Sequence, residues 1–299
     1  MNWDKLLAFY HTATLGSVKK AAEKLGTSTS SVSRLIDSLE KEIGHELFSV
    51  VLQRMAITKK GERFLISVKR LLSQYDLSLK ELSEMSQKME GHYNISATIS
   101  IIASWIFDDL ADFMKTYPQL SLSFTAVDNP PDLTLGEADI DIRSFRRKEE
   151  GVEYKYLTTH DMGLYATRDY IQKEGLPERI SDFEKHHIFA FQHNLLIPHN
   201  APLNWHLPHI TAWKKMTPIN SYMGILRAIE NGLGIGPVSH AAAKMSRVPL
   251  VPILPDILTY PMDLYYMYPK TLSSSRVVAE IYEHLRSRPQ GPLNGRIRM

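Results

Sequence analysis

Thr29, Ser30, Ser33 and Arg34 are the residues of this 299-residue chain most readily put to chemical use. One guanidinium among three hydroxyls is a donor and acceptor set suited to base edges in the major groove, where Arg pairs with guanine and hydroxyls serve either partner. Acting together requires one shared helix face. The sequence supplies it: Val32, Ile36 and Leu39 follow at spacings of four and three and take the inward side, leaving Thr29, Ser30, Ser33, Arg34 and Asp37 outward.

The elements that must hold this face are written nearby. Ser28 is placed to cap the helix, and Gly26 to end an earlier one in the left-handed conformation. That earlier helix starts behind Ser17 and repeats Val18, Ala21, Ala22 and Leu25, with small residues where two helices cross closely. Trp3, Leu6, Leu7 and Tyr10 predict a further amphipathic helix that completes a core. Two short helices meeting at a small-residue turn read as a helix-turn-helix. The alternative is a three-helix cluster whose serine-rich surface does nothing; it does not account for caps, turn and inward stripe occurring in order.

With A-A-E-K-L at 21–25, S-V-S-R-L-I-D-S-L-E at 31–40 and L-F at 47–48, the chain resembles the LysR-type transcriptional regulators over residues 1–288. The resemblance implies an α/β protein with an all-α N-terminal part: a winged helix-turn-helix, a long linker helix, and a two-lobed effector domain shaped like a periplasmic binding protein. It implies a DNA-binding domain at 1–58, a linker and dimerisation helix at 59–90, and an effector domain at 91–288. Lobe I is expected at 91–160 and 262–288, and lobe II at 161–261. Thr29 stands where the family usually carries Gln, and Val50 where it usually carries Arg. The wing is read at 49–56, with Arg54 its only cation, and Arg54, Lys59 and Lys60 are expected nearest phosphate.

The linker has a pattern of its own. Behind Thr58, a proline-free stretch to Met89 carries Phe64, Val68, Leu71, Tyr75, Ser78, Leu82, Met85 and Met89 alternately four and three apart. That 3.5-residue repeat suits a helix pairing with a second copy, with Phe64, Val68, Leu71, Tyr75 and Leu82 as dimerisation residues. About thirty residues at 1.5 Å each make a rod of roughly 45 Å. An amphipathic helix docked on its own domain would show a similar stripe.

Beyond Gly91 strand-like and helix-like segments alternate. Strands are expected at 94–101, 120–127, 138–143, 162–167, 188–191, 234–238 and 264–268, and helices at 105–117, 222–231 and 276–286. Such alternation indicates parallel sheets. By resemblance the chain leaves lobe I near Thr158 and returns near Pro261. The short segment 127–139, containing N-P-P-D-L, implies that one lobe I helix is reduced or lost. The cleft between lobes is the expected ligand site. The resemblance puts Thr98, Ser100, Arg143 and Ser221 there, a set of hydroxyls, guanidinium and helix N-terminus suited to an anionic small molecule. Arg143 pairing with a structural carboxylate, and Ser221 merely capping its helix, are the competing readings.

Several chemistries are disfavoured. There is no cysteine, which excludes disulfides, thiolate metal sites and thiol redox sensing. His186, His187, His193, His199, His206 and His209 match no metal-ligand spacing. G-L-G-I-G at 232–236 follows a helix and precedes a strand, the reverse of a nucleotide loop, and reads as a helix stop and strand entry. No G-x-S-x-G, H-E-x-x-H or P-loop occurs, so no catalytic residue, metal or cofactor is expected. No apolar run approaches membrane length and no secretory leader is evident, so a soluble, cytoplasmic protein without membrane contact is expected. Residues 1–72 hold 12 Lys and Arg against 7 Asp and Glu although the whole chain carries only +2, a surplus at the end expected to meet phosphate. The tail at 289–299, with Arg296 and Arg298, is expected to be disordered.

The expected function is sequence-specific, effector-controlled binding of double-stranded DNA by a homodimer, further assembled as a tetramer, in which ligand alters DNA bending and RNA polymerase access. Rival readings are an architectural DNA binder whose C-terminal domain meets protein partners, and an enzyme with an appended helix-turn-helix.

Overall fold

The computed structural model describes residues 2–51, 54–84, 89–146, 149–192 and 201–287. The side chains of Arg54 and Leu82, together with Met85, His193, His199 and the tail at 289–299, lie outside the described residues. The chain forms two compact units, Met1–Leu82 with Thr134–Glu137, and Ser83–Leu133 with Ala138–Met299.

In the first unit, α1 (Trp3–Leu15), α2 (Val18–Leu25) and α3 (Thr29–Ile43) each open on a capping side chain and close on a left-handed glycine. Asn2, Ser17 and Ser28 accept from the amides of Asp4, Lys20 and Ser31, each cap contributing about 1 kcal/mol. Gly16, Gly26 and Gly44, at φ of 63°, 64° and 75°, turn the chain where a side chain would be strained. Leu6, Phe9, Ala21, Ala22, Val32, Ile36, Leu39 and Leu47 make the core. The wing is an antiparallel pair, β1 (Phe48–Val51) and β2 (Arg54–Ile57), with Phe48 opposite Ile57. Glu40 secures it: its Oε1 accepts from the amides of Leu47 at 2.6 Å and Phe48 at 3.0 Å.

The linker, α4 (Lys59–Glu84), begins at Thr58, whose Oγ1 accepts from the Gly61 amide at 3.0 Å. Met89, expected in the heptad run, lies in a bend just ahead of the next strand. The seam itself divides. Val68 is fully buried in the core of the first unit, and Phe64 packs there with its ring 5.2 Å from that of Phe9. Val68 has no surface to present to a second copy, which corrects its assignment to dimerisation, and Phe64 is half-buried against its own domain: the first three turns of the rod help to close that domain. Leu71, Tyr75 and Leu79 are exposed.

The second unit opens with β3 (Gly91–Ala97), α5 (Ile99–Ile101), a π-helical stretch Ile102–Ile106 and α6 (Phe107–Thr116). The strand expected to reach residue 101 stops at Ala97 because Thr98 Oγ1 accepts from the Ile101 amide and starts a helix. Then come β4 (Leu120–Ala126), β5 (Ile140–Arg143), β6 (Val152–Thr167), α7 (Arg168–Glu174), β7 (His187–Phe191), β8 (Lys215–Ile219) and α8 (Tyr222–Glu230). The order ends with β9 (Gly236–Ser239), α9 (His240–Lys244), β10 (Leu250–Ile253), β11 (Thr259–Pro269) and α10 (Arg276–Ser287). Residues 127–139 hold only a 3-10 turn, Leu133–Leu135, among the described residues.

Among the described residues, parallel strands pair in β4–β3–β5 and β7–β8, and a parallel bridge joins Ile188 to Ile235. The expectation of parallel sheets holds for those pairs and is corrected at β6 and β11, of 16 and 11 residues, which pair antiparallel and bring β9 and β10 onto β6. These two strands carry the chain between the lobes, so each lobe sheet continues into them. Ile225, Ile229 and Val238 pack with Tyr165 and Phe189 in the core of lobe II. At Gly234 an added Cβ would meet the His187 carbonyl at 2.4 Å, so the G-L-G-I-G run serves close strand entry after the left-handed helix stop at Gly232.

Candidate DNA-reading face and ligand cleft

Val32, Ile36 and Leu39 anchor α3 inward, which leaves Thr29, Ser30, Arg34 and Asp37 exposed and Ser33 half-buried on the other side. Ser30 is partly committed, since its hydroxyl lies 2.9 Å from that of Ser28, the cap. Arg34 forms no ion pair or side-chain hydrogen bond among the described residues, and its guanidinium stands in solvent. Lys59 and Lys60 are exposed at the start of α4, with Lys60 Nζ 3.1 Å from His45 Nδ1. The backbone of Arg54 starts the second strand of the wing.

The second unit contains a cavity lined by both lobes and by the strands that join them. As traced by the centre of a water molecule it measures about 100 Å³, well above the roughly 10–15 Å³ that one water needs. Thr98 and Ser100 line it, with their hydroxyls 3.0 Å apart, and so does Ser221. Ser221 also caps α8, accepting from the Gly224 amide at 3.2 Å. The π-helical stretch widens the helix there and carries Ser104 and Trp105 to the wall.

Arg143 is not part of this lining, and the expectation that it meets a ligand is corrected. On β5, Asp141 and Arg143 share one face by the two-residue strand period, and Ser96 of β3 stands in register with Asp141. Fully buried, Arg143 donates from Nε to Asp141 Oδ1 at 2.8 Å and from Nη2 to Ser96 Oγ at 3.1 Å. Its Nη1 donates to the carbonyls of Val127 at 2.6 Å and Asp128 at 3.1 Å. The guanidinium is spent on tying the loop after β4 to the sheet. Among the described lining residues there is no Lys or Arg, and the one carboxylate is that of Asp128.

Residues that the sequence reading passed over make up much of the wall. His160, on β6, sits edge-on to Trp105 with ring centroids 4.9 Å apart, and burial pushes its imidazole down to about 4. Tyr222 accepts from the Ser239 amide, and burial pushes its phenol up to about 12. His160 was legible in principle, because it continues the alternation of Met162, Leu164 and Ala166 on one face of a strand. Its partners were not. Of the other histidines, His186 Nδ1 lies 3.2 Å from the Tyr170 hydroxyl and His187 Nε2 lies 2.9 Å from Thr217 Oγ1. Among the described residues no three His, Asp or Glu side chains are grouped as a metal would need. Nor is any helix among them long and apolar enough to cross a membrane.

Comparison with known proteins gives two family matches. Residues 3–62 match the bacterial regulatory helix-turn-helix proteins of the lysR family, and residues 86–290 match the LysR substrate binding domain. The uncharacterized HTH-type transcriptional regulator YhjC of Escherichia coli (strain K12) is 27% identical over 281 residues, 90% of this chain and 92% of its own length. DmlR, an HTH-type transcriptional regulator of the same strain, is 27% identical over 291 residues, 94% of this chain and 92% of its own. Among solved structures, full-length CbnR complexed with its target DNA aligns with a TM-score of 0.68 at 19% identity, covering 96% of this chain and 99% of that one.

Proposed function

Since the chain belongs to the LysR family of transcriptional regulators, with a helix-turn-helix DNA-binding domain and an effector-binding domain, we propose how its own residues divide that work. Thr29, Ser30, Ser33 and Arg34 meet base edges in the major groove, and Arg54, Lys59 and Lys60 meet phosphate. Arg34 carries the reading: an exposed guanidinium with no ion pair among the described residues, on a helix whose other face is anchored, is free to pair with a base. Thr29 is too short for the bidentate adenine contact a Gln would make, so Arg34 bears more of the discrimination.

The effector binds in the cavity lined by Thr98, Ser100 and Ser221. Because Arg143 is committed elsewhere, the effector is a compact molecule with a sizeable apolar body rather than a polyanion, which revises the anionic ligand expected from the sequence. Leu71, Tyr75 and Leu79, exposed along α4, pair two copies, and two dimers associate as a tetramer on successive half-sites. Effector binding biases the antiparallel pair β6 and β11, changes how dimers associate, and so alters DNA bending and RNA polymerase access. This work belongs in the cytoplasm, where the DNA is.

The test is genome-wide mapping of bound sites followed by footprinting with the purified full chain. Protection of paired half-sites separated by one helical turn or a multiple of it is expected. Uniform binding without a preferred site would overturn the assignment of the reading face.

A further inference from the structure

We propose a second small-molecule site, a hollow on lobe II beside β10 that takes a small organic acid with an apolar body, its carboxylate received by Lys244 and His240. The site is separate from the effector cleft and does not depend on what the cleft binds. By the same measure it holds about 300 Å³ against about 100 Å³, and among the described residues the two linings have no member in common.

The apolar part comes from a strand edge. Leu164 of β6 and Leu250, Pro252 and Ile253 of β10 line the hollow, with Pro249 and Pro255 on either side of the strand. Among the described residues β10 is the end strand of its sheet. Pro252 has no amide hydrogen to offer a further strand, and the flanking prolines cut short the run that could pair, so this edge resists a peptide or a second copy added as a strand. Three prolines of fixed φ also make a wall that keeps its shape around a small molecule.

The polar part comes from one helix face. His240, Ala243 and Lys244 of α9 line the hollow, at the i, i+3 and i+4 positions that stand together on a helix, while Ala242 packs into the core of the lobe. Lys244 is exposed and makes no ion pair or hydrogen bond among the described residues, and no Asp or Glu is among the described lining. Half-buried His240 has its Nδ1 3.1 Å from the Tyr165 hydroxyl, and its Nε2 is bonded to no described residue and stays open to solvent. Gly163 makes room for that contact, since a Cβ there would meet the Tyr165 ring at 3.0 Å.

Burial, with Asp161 adding to it, pushes the Tyr165 phenol up to about 12. The phenol therefore keeps its proton to donate to Nδ1, which leaves the imidazole proton of His240 on Nε2. Burial and then the Lys244 ammonium lower the pKa of that imidazole; Asp161, which opposes them, lies outside the lining. A cation and an N–H donor on one helix face, with the Ala243 methyl beside them, suit the two oxygens of a single carboxylate. Thr259 is spent elsewhere, its hydroxyl donating to the Pro255 carbonyl at 2.6 Å.

The pair 2-naphthoate and 2-naphthamide share a shape and differ in charge, so both are titrated against the full chain, with dissociation constants taken from ligand-observed NMR. The acid should bind about fivefold tighter than the amide, the margin of a charge-assisted contact at a partly exposed site. Lys244→Met, which keeps the apolar stem, should bring the acid to the level of the amide, and Lys244→Glu should place it below. Both change an exposed position, and unaltered unfolding midpoints establish that they fold. Ala243→Trp, which fills the hollow, should weaken acid and amide alike, whereas Met223→Trp, which fills the cleft, should change neither. The site is overturned if the acid keeps its advantage in Lys244→Glu, if Met223→Trp abolishes binding that Ala243→Trp spares, or if neither compound binds the wild-type chain.

Discussion

Replacing Arg143 with Met should damage folding rather than ligand response, against the expectation from the sequence. The guanidinium and the Asp141 carboxylate are both fully buried, 2.8 Å apart, and three further bonds run from Arg143 to Val127, Asp128 and Ser96. Arg143→Met has nearly the right length and fills the space, so the loss is one of charge and hydrogen bonding rather than volume. Removing one partner of a buried ion pair typically costs about 3–5 kcal/mol, and two carbonyls and a hydroxyl lose this donor as well. Urea unfolding at fixed protein concentration should therefore show a markedly lower midpoint for the second unit. Asp141→Asn in the Arg143→Met background removes the buried charge and should recover roughly half of that loss, about 2 kcal/mol. If Arg143→Met unfolds with the wild-type midpoint yet loses effector response, the guanidinium serves a ligand and the reasoning from burial fails.

Arg34→Ala should cost about 1–3 kcal/mol of specific DNA binding at constant salt, read by fluorescence anisotropy on a mapped site, and unchanged affinity would remove it from the reading face. Leu71→Asp should convert the protein to a smaller species in sedimentation without unfolding it, because Leu71 is 45% exposed. Val68→Ala should do the opposite, lowering stability by about 2 kcal/mol while leaving assembly intact, since Val68 is wholly buried. If both variants dissociate, the seam was divided at the wrong turn. Burial pushes His160 and His206 down to about 4 from 6.5, so below pH 6.5 the unfolded chain binds more protons than the folded one. Their contribution is fully present above pH 6.5 and is lost as pH falls toward 4, on the order of 2 kcal/mol per histidine at pH 5. Urea midpoints at pH 7 and 5 check this, and a slope that His160→Phe leaves untouched would assign the acid loss elsewhere.

What could be read in advance separates by the range of the interaction. The caps at Ser17 and Ser28 and the left-handed Gly26 act within a few residues, so the helix-turn-helix and its outward face follow from the text of residues 17–43 alone. Thr98 obeys the same local rule, yet T-I-S-I has the β-branched texture of a strand, and the cap wins because its hydroxyl reaches the Ile101 amide. A heptad stripe, by contrast, records only that a face is apolar. Whether Phe64 meets a second copy or Phe9 depends on where α1 passes, which no periodicity encodes. Arg143 is the sharpest case. Its spacing from Asp141 put both on one strand face in plain view, but whether that face lines a cleft or lies beneath a loop was decided by the chain at Val127 and Asp128 folding back over it. His160 inverts the case: an unremarkable residue in sequence comes to lie buried at a cavity wall because its ring packs across that of Trp105, 55 positions earlier, and the cavity opens alongside. Both residues also have side-chain partners distant in sequence, so paired substitutions at 96 with 143, and at 105 with 160, should couple, whereas Ser28 and Arg34 should add independently in DNA affinity.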